Sequence, residues 1–145
     1  MKTKNLFARL SLMLFCLLPV VAAANYASPE TVPGTTYVSP ADAKALFDRG
    51  VPFVDVRTAS DFEAGRIPGA ENLTVERDQS QSKITEQSLL EVIGSKDAEV
   101  VLYCNSTPCW RTAVAAERAV EWGFTKVYYY RLGFPSWRDA GYPVE

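Results

Sequence analysis

The chain has 145 residues, a formal net charge of −2 at pH 7 and no histidine. A length of this order predicts one domain, and the slightly acidic balance argues against nucleic acid or an anionic membrane surface as the main partner. Without histidine there is no Cys–His catalytic pair, and the cysteines are too few for a four-ligand structural zinc site. We therefore predict neither a metal nor a cofactor.

Residues 1–24 are typical of a secretory signal peptide. They combine a basic start, an almost wholly apolar run over 10–21 and three alanines at 22–24. We predict export, with the periplasm as the expected compartment; an uncleaved anchor that ties the protein to the membrane is the alternative. Because this segment holds three of the 15 Lys and Arg residues and none of the 17 Asp and Glu, the mature chain has a net charge of −5.

The mature chain keeps only two cysteines, because Cys16 leaves with the signal segment. Cys104 and Cys109 are five positions apart, and closing so small a loop gives little stability. Export would place both in an oxidising compartment. The spacing favours a chemical role for the pair over an architectural one.

Strands and helices alternate along the mature chain. This order predicts parallel strands joined by right-handed crossovers, and hence an α/β sheet with helices on both faces. The predicted elements, in order, are an irregular lead-in over 25–36, a helix from Ser39-Pro40 to Gly50, a strand over 52–56, a helix over 60–64, a turn at 67–70, a strand at 72–73, a surface loop over 76–88, a helix over 89–93, a strand over 99–103, a helix over 112–122, a strand over 126–130 and a short helix over 135–140.

Cys104 directly follows the most apolar of these strands. Ligands of such sheets bind beyond the carboxyl ends of the strands. The loop after Cys104 enters a helix near Trp110 or Arg111, where free N–H groups favour an anion and lower a thiol pKa. Arg111 adds a fixed positive charge. These features suit a thiolate that accepts sulfur, one that attacks phosphate, or a redox pair; the plain alternative is a small apolar residue ending a buried strand.

Several short motifs follow one another between about residues 38 and 145. They are Asp55-Val56-Arg57, Asp61-Phe62, Gly65-Arg66-Ile67-Pro68-Gly69-Ala70, Tyr103-Cys104, Arg111-Thr112-Ala113, Gly133-Phe134-Pro135-Ser136-Trp137 and Gly141-Tyr142-Pro143. In sequence and in order they resemble the motifs of rhodanese domains. The resemblance implies a single domain over 37–145 with a five-stranded parallel sheet flanked by helices.

The resemblance also implies a sulfurtransferase. Cys104 corresponds to the residue that carries sulfur as a persulfide from a donor such as thiosulfate to cyanide, a thiol or a protein thiol partner. Arg111 corresponds to the loop arginine. The backbone N–H groups of the intervening loop would bind the substrate; its members are Asn105, Ser106, Thr107, Pro108 and Trp110. Three further residues correspond to a polar cluster that we interpret as structural support: Asp55, Arg57 and Asp61.

The chain departs from the family pattern at three places. Six residues separate Cys104 from Arg111 where the usual loop has four, and this longer form with Cys109 resembles a subset of exported rhodanese-like proteins. Arg66 stands where the family usually has histidine, and Leu132 replaces the first glycine of a Gly-Gly pair.

Cys109 is either a rival nucleophile near the helix start or a resolving thiol that closes a disulfide with Cys104. Thiol–disulfide exchange and a binding module without turnover are therefore the alternative functions. A phosphatase is less favoured, because the loop is too long and no acid stands out as proton donor. We interpret Trp110, Trp137 and the tyrosines at 128–130 as core or rim residues.

Overall fold

The computed structural model describes residues 25–145, so the predicted signal segment lies outside the described residues. Within them, no helix is both long and apolar enough to cross a membrane. The elements are β1 Thr36–Tyr37, α1 Pro40–Asp48, β2 Phe53–Asp55, α2 Ala59–Ala64, β3 Glu71–Asn72, a 3-10 turn Gln79–Gln81, α3 Glu86–Ile93, β4 Glu99–Tyr103, α4 Arg111–Glu121, β5 Lys126–Tyr130 and α5 Gly133–Asp139.

The five strands form one sheet in the order β1-β5-β4-β2-β3, and every pairing is parallel. This confirms the predicted α/β fold. The chain adds β3 on one side of β2 and then returns to place β4 on the other side. The strand order therefore reverses between β2 and β4, and the crevice beyond their carboxyl ends is the expected ligand site of such a sheet.

The two faces of the sheet are covered by different helices. Along β4, Val100 and Leu102 pack in one hydrophobic cluster with the alanines of α4, while Val101 and Tyr103 pack in the other with Trp137 of α5. This alternation follows from the two-residue period of a strand. Cys104 continues it, since it belongs to the α4 cluster.

The prediction of an irregular lead-in over 25–36 was wrong at its last residue, because Thr36 begins β1. Thr36 and Tyr37 pair with Tyr128 and Tyr129 of β5. The strand is only two residues long and both are exposed, so no apolar alternation marks it in the sequence. Upstream, Val32 is buried in the α4-side cluster, so the lead-in is part of the domain.

Helix boundaries differ from prediction by a few residues. α3 begins at Glu86, within the predicted loop, because Thr85 and Ser88 form a capping box. α5 begins at Gly133 rather than at Pro135. The predicted strand over 52–56 is shortened to Phe53–Asp55.

Candidate active site

Cys104 lies at the reversal point of the sheet, immediately after β4, and is 1% exposed. The loop from Cys104 leads to α4, whose N-cap is Trp110 and whose first residue is Arg111. Cys109 is the residue before this N-cap and is only partly buried. The sequence thus located the loop and the helix start correctly.

Cys104 and Cys109 are joined by a disulfide, with their Cα atoms 6.3 Å apart. The structure therefore has the disulfide that the sequence left as one possibility, and not two free thiols. In this state neither sulfur is a thiolate, so neither can attack a substrate. Any chemistry that needs a free Cys104 thiolate must begin with reduction of this bond.

The loop between the two cysteines leaves several backbone donors free. Within residues 25–145, no hydrogen bond is made by the N–H groups of Asn105, Ser106, Thr107, Trp110 and Arg111. The N–H of Cys109 does donate to the Ser106 carbonyl, at 3.0 Å. Free N–H groups between a strand end and a helix start are what binding of an anion requires.

Two other segments hold the loop by its carbonyl groups. The Phe134 N–H, at the start of α5, donates to the Cys104 carbonyl at 2.9 Å, and the Ser28 N–H donates to the Thr107 carbonyl at 2.7 Å. Ser28 is buried, and its own carbonyl accepts from Arg131 Nε and Nη2 at 3.1 and 2.7 Å.

Gly133 permits the contact with Cys104. Its φ is +61°, in the left-handed region that glycine tolerates best. A Cβ on Gly133 would lie 2.1 Å from the Cys104 carbonyl oxygen and 3.0 Å from the Ser106 nitrogen. Only a residue without a side chain therefore lets α5 approach the base of the loop this closely.

The predicted polar cluster is assembled beside the loop. Arg57 Nη2 donates to Asp55 Oδ2 at 2.6 Å and to the Gly65 carbonyl at 2.7 Å. Arg57 Nη1 reaches Asn105 Oδ1 at 3.3 Å, and Asn105 Nδ2 donates to Asp61 Oδ2 at 2.8 Å. The cluster thus ties β2 and α2 to the residue that follows Cys104.

The Asp55–Arg57 pair is almost fully buried. Burial by itself lowers the pKa of Arg57, but the hydrogen bonds and the charge of Asp55 outweigh it and raise that pKa above its ordinary value. Arg57 is therefore a permanent cation whose charge is matched by its partner. These contacts are those of a structural brace.

Arg111 lies at the helix start, as predicted. Its Nε donates to the Val75 carbonyl at 2.8 Å, and its Nη2 is 4.0 Å from Glu76 Oε2. Its Cζ lies 5.0 Å from the centre of the Trp110 ring, and the Cζ of Arg77 lies 4.7 Å from that ring. The side chain of Arg111 thus faces the segment after β3, and its predicted role toward substrate stays a prediction.

Sequence reasoning missed three residues around the loop: Ser28, Arg77 and Arg131. Ser28 and Arg131 brace the loop from parts of the chain distant in sequence. Arg77 lies in the segment that was predicted only as a surface loop. Arg131 carried one usable signal, because it directly follows a strand that neighbours β4. Within the described residues, no group of three or more His, Cys, Asp or Glu residues is placed to hold a metal ion.

The sequence of the chain is similar to those of known proteins. Residues 39–140 match the family model described as rhodanese-like domain. A curated relative, the HTH-type transcriptional regulator Rv0324 of Mycobacterium tuberculosis, is 32% identical over 139 residues; the match covers 91% of this chain and 57% of the relative. The chain thus spans little more than half the length of that protein.

The chain is also similar to solved structures. BH2092 from Bacillus halodurans is 26% identical with a TM-score of 0.64, covering 76% of each chain. RPA3614 from Rhodopseudomonas palustris, described as a possible tyrosine phosphatase, is 27% identical with a TM-score of 0.58, covering 82% of this chain and all of that one. The human single-domain sulfurtransferase TSTD1 shares the fold, at 22% identity and a TM-score of 0.55 over 73% of this chain and 96% of its own. With most of its length matched by the family model, this chain belongs to the rhodanese-like domain family.

Proposed function

We propose that the protein is a sulfurtransferase that carries sulfane sulfur as a persulfide on Cys104, from a thiosulfate-like donor to a thiophilic acceptor. The observation that supports this most is the set of free N–H groups in the loop that begins at Cys104. Such a loop can stabilise a thiolate, an anionic donor and a persulfide anion in turn, with no histidine required. Membership of the rhodanese-like family points to the same chemistry.

The transfer proceeds in two displacements once the disulfide has been reduced. The Cys104 thiolate attacks the sulfane sulfur of thiosulfate, the S–S bond of the donor breaks, and sulfite leaves with the electron pair. A cyanide or thiolate acceptor then attacks the outer sulfur of the persulfide. This regenerates the Cys104 thiolate and releases thiocyanate or a new persulfide.

Cys104 is favoured over Cys109 as the carrier because of its position. It ends the central strand β4 at the reversal point of the sheet, at the base of the loop. Cys109 is then the resolving thiol. Its thiolate can attack the inner sulfur of the Cys104 persulfide, which releases hydrosulfide and restores the disulfide.

The test is donor loading followed by intact mass measurement. Reduced protein, freed of reductant under anaerobic conditions, is mixed with thiosulfate and its mass is compared in wild type, Cys104→Ser and Cys109→Ser. We expect one added sulfur atom to persist in Cys109→Ser and to be absent in Cys104→Ser. An adduct that persists in Cys104→Ser and is lost in Cys109→Ser would assign the carrier role to Cys109 instead.

Thiol–disulfide exchange is the second candidate, and the disulfide itself favours it. One sulfur of the bond belongs to the partly exposed Cys109, as exchange with an external thiol requires. This function predicts a defined reduction potential and no added sulfur in any variant after donor loading. A rhodanese-like binding module would show neither sulfur transfer nor thiol–disulfide exchange activity.

We also propose that the protein works outside the cytoplasm. The signal-like residues 1–24 support this, and so does a disulfide between the two remaining cysteines, since such bonds persist mainly in oxidising compartments. Cell fractionation with an antibody against the folded domain tests this. Recovery with cytoplasmic proteins at full chain length would contradict it.

A further inference from the structure

A cationic rim lies beside the disulfide. We use this name for the set Arg77, Trp110 and Arg111, in which both guanidinium groups lie over the indole ring, at 4.7 and 5.0 Å from its centre. Trp110 directly follows Cys109 in the chain, so the rim adjoins the more exposed half of the disulfide.

The positive charge of the rim is incompletely matched. Arg77 is exposed and makes no hydrogen bond or ion pair within residues 25–145, and Arg111 has one carboxylate, Glu76, at 4.0 Å. Asp78 is next to Arg77 in sequence, but both of its oxygens accept hydrogen bonds within its own turn. The residues 25–145 together carry a net charge of −5, so a positive patch at this place is a local exception.

Burial decides which sulfur an incoming thiolate can attack. Cys104 is 1% exposed, whereas Cys109 is partly exposed at the end of the loop. Attack at Cys109 also has the better leaving group, because the departing Cys104 thiolate remains at the base of the loop with the free N–H groups.

We propose that the cationic rim binds the carboxylate of a small anionic thiol, which opens the disulfide by attack at Cys109. The thiolate forms a mixed disulfide with Cys109, the Cys104–Cys109 bond breaks, and Cys104 leaves as the thiolate. A second molecule of the same thiol then attacks the mixed disulfide, releasing the oxidised small disulfide and the reduced Cys109 thiol. The role of this step in activity rests on the proposed function, in which only reduced Cys104 accepts sulfur.

The chemistry of the rim fits a carboxylate. A guanidinium offers a planar pair of donors that matches a carboxylate. Stacking over an aromatic ring already restricts the guanidinium, so less conformational entropy is lost when the carboxylate binds. Every attacking thiolate is attracted by this charge; a carboxylate on the thiol adds to the attraction, and an ammonium group offsets it. The predicted signature is therefore a dependence of the reduction rate on the charge of the thiol.

The experiment measures the rate of disulfide opening with three thiols: glutathione as the anionic probe, 2-mercaptoethanol as the neutral one and cysteamine as the cationic one. Oxidised protein is mixed with excess thiol, quenched by alkylation and read by intact mass. The variant is Arg77→Gln. The matched control is Arg49→Gln, since Arg49 pairs with Glu99 at the opposite end of β4 and its loss removes the same charge.

We expect Arg77→Gln to slow glutathione about two- to fivefold, the range of one exposed charge pair. The same variant should slow 2-mercaptoethanol less and cysteamine least, and Arg77→Lys should restore part of the glutathione rate. Comparing each variant with wild type for the same thiol cancels the intrinsic reactivities of the three thiols. Equal effects of Arg77→Gln on all three, or an equal loss of glutathione rate in Arg49→Gln, would overturn the proposal.

Peptide mapping of the trapped intermediate gives a second readout. Glutathione is expected on Cys109, and a mixed disulfide found on Cys104 instead would refute the order of attack. Neither measurement requires sulfur transfer. If the rim fails while protein reduced by 2-mercaptoethanol still accepts sulfur on Cys104, only the rim proposal falls. If charge selectivity holds and no persulfide forms, the proposed sulfurtransferase function falls instead.

Discussion

Gly133→Ala tests how the loop is supported. Gly133 has a φ of +61°, and a Cβ there would lie 2.1 Å from the Cys104 oxygen and 2.8 Å from the Cys104 carbonyl carbon. Both are backbone atoms at the end of the central strand, so they cannot swing aside as the end of a flexible side chain could. We expect α5 to be pushed away from the loop.

The cost of this substitution has separate sources. A left-handed conformation costs an alanine roughly 1–2 kcal/mol, and forcing an extra carbon into a packed site typically costs about 1–3 kcal/mol. Displacement of α5 also weakens the hydrogen bond from the Phe134 N–H to the Cys104 carbonyl, worth about 1 kcal/mol. Together these predict a loss of roughly 3–6 kcal/mol from the free energy of unfolding, a large part of the stability of an ordinary domain.

Gly141→Ala is the matched control, because Gly141 has a φ of +76° and nothing within 4 Å of its Cβ position. It isolates the conformational cost of roughly 1–2 kcal/mol. Urea unfolding of both variants gives the two free energies, and donor loading of the reduced proteins reports on the loop. If Gly133→Ala loses no more stability than Gly141→Ala, or loads sulfur as wild type does, the close approach of α5 does not support the loop.

Asp55→Asn should cost about 3–5 kcal/mol, because it leaves the buried cation of Arg57 without its partner, whereas Asp48→Asn at the exposed Lys44–Asp48 pair should cost at most about 0.5 kcal/mol. Equal midpoints for the two variants in urea unfolding would contradict this. Burial raises the pKa of Tyr130 to about 12, so between pH 10 and 12 the folded protein keeps a proton that the unfolded chain has released, and stability falls as the pH rises. The slope contributed by this one proton is about 1.4 kcal/mol per pH unit, and Tyr130→Phe should remove it from the alkaline limb of the stability curve; an unchanged slope would refute the assignment.

The parts of the molecule that sequence could predict are those in which neighbouring residues share a structural environment. β4, Cys104 and the start of α4 are contiguous in the chain, and their change from an apolar run to a loop to an alanine-rich helix is visible in the sequence. Asp55 and Arg57 are two positions apart, and the brace they form is equally local. Parallel pairing then follows from the alternation of strands and helices.

The contacts that sequence did not predict join distant segments. The bond from the Ser28 N–H to the Thr107 carbonyl joins residues 79 positions apart, and its donor lies in a stretch without periodicity. β1 was missed for a related reason, since a two-residue exposed edge strand leaves no pattern and is defined only by pairing with β5. The orientation of Arg111 was also not deducible, because its hydrogen-bond acceptor is the carbonyl of Val75, which is set by the path of the chain after β3.

The backbone hydrogen bonds that hold the active-site loop end on its carbonyl groups, and this bears on function. The carbonyl groups of Cys104, Ser106 and Thr107 all accept hydrogen bonds from the protein, whereas the N–H groups of Asn105, Ser106 and Thr107 donate none within residues 25–145. A peptide whose carbonyl is bound by the protein has the direction of its opposite N–H fixed as well, and here those N–H groups belong to Asn105 and Thr107, since Pro108 after Thr107 has none. The loop is therefore held by its acceptors, and its donors remain available to an anion. Opening the disulfide removes one constraint from this loop, while the bond from Phe134 does not depend on it, so we expect the Asn105 N–H to stay oriented when Cys104 becomes a thiolate.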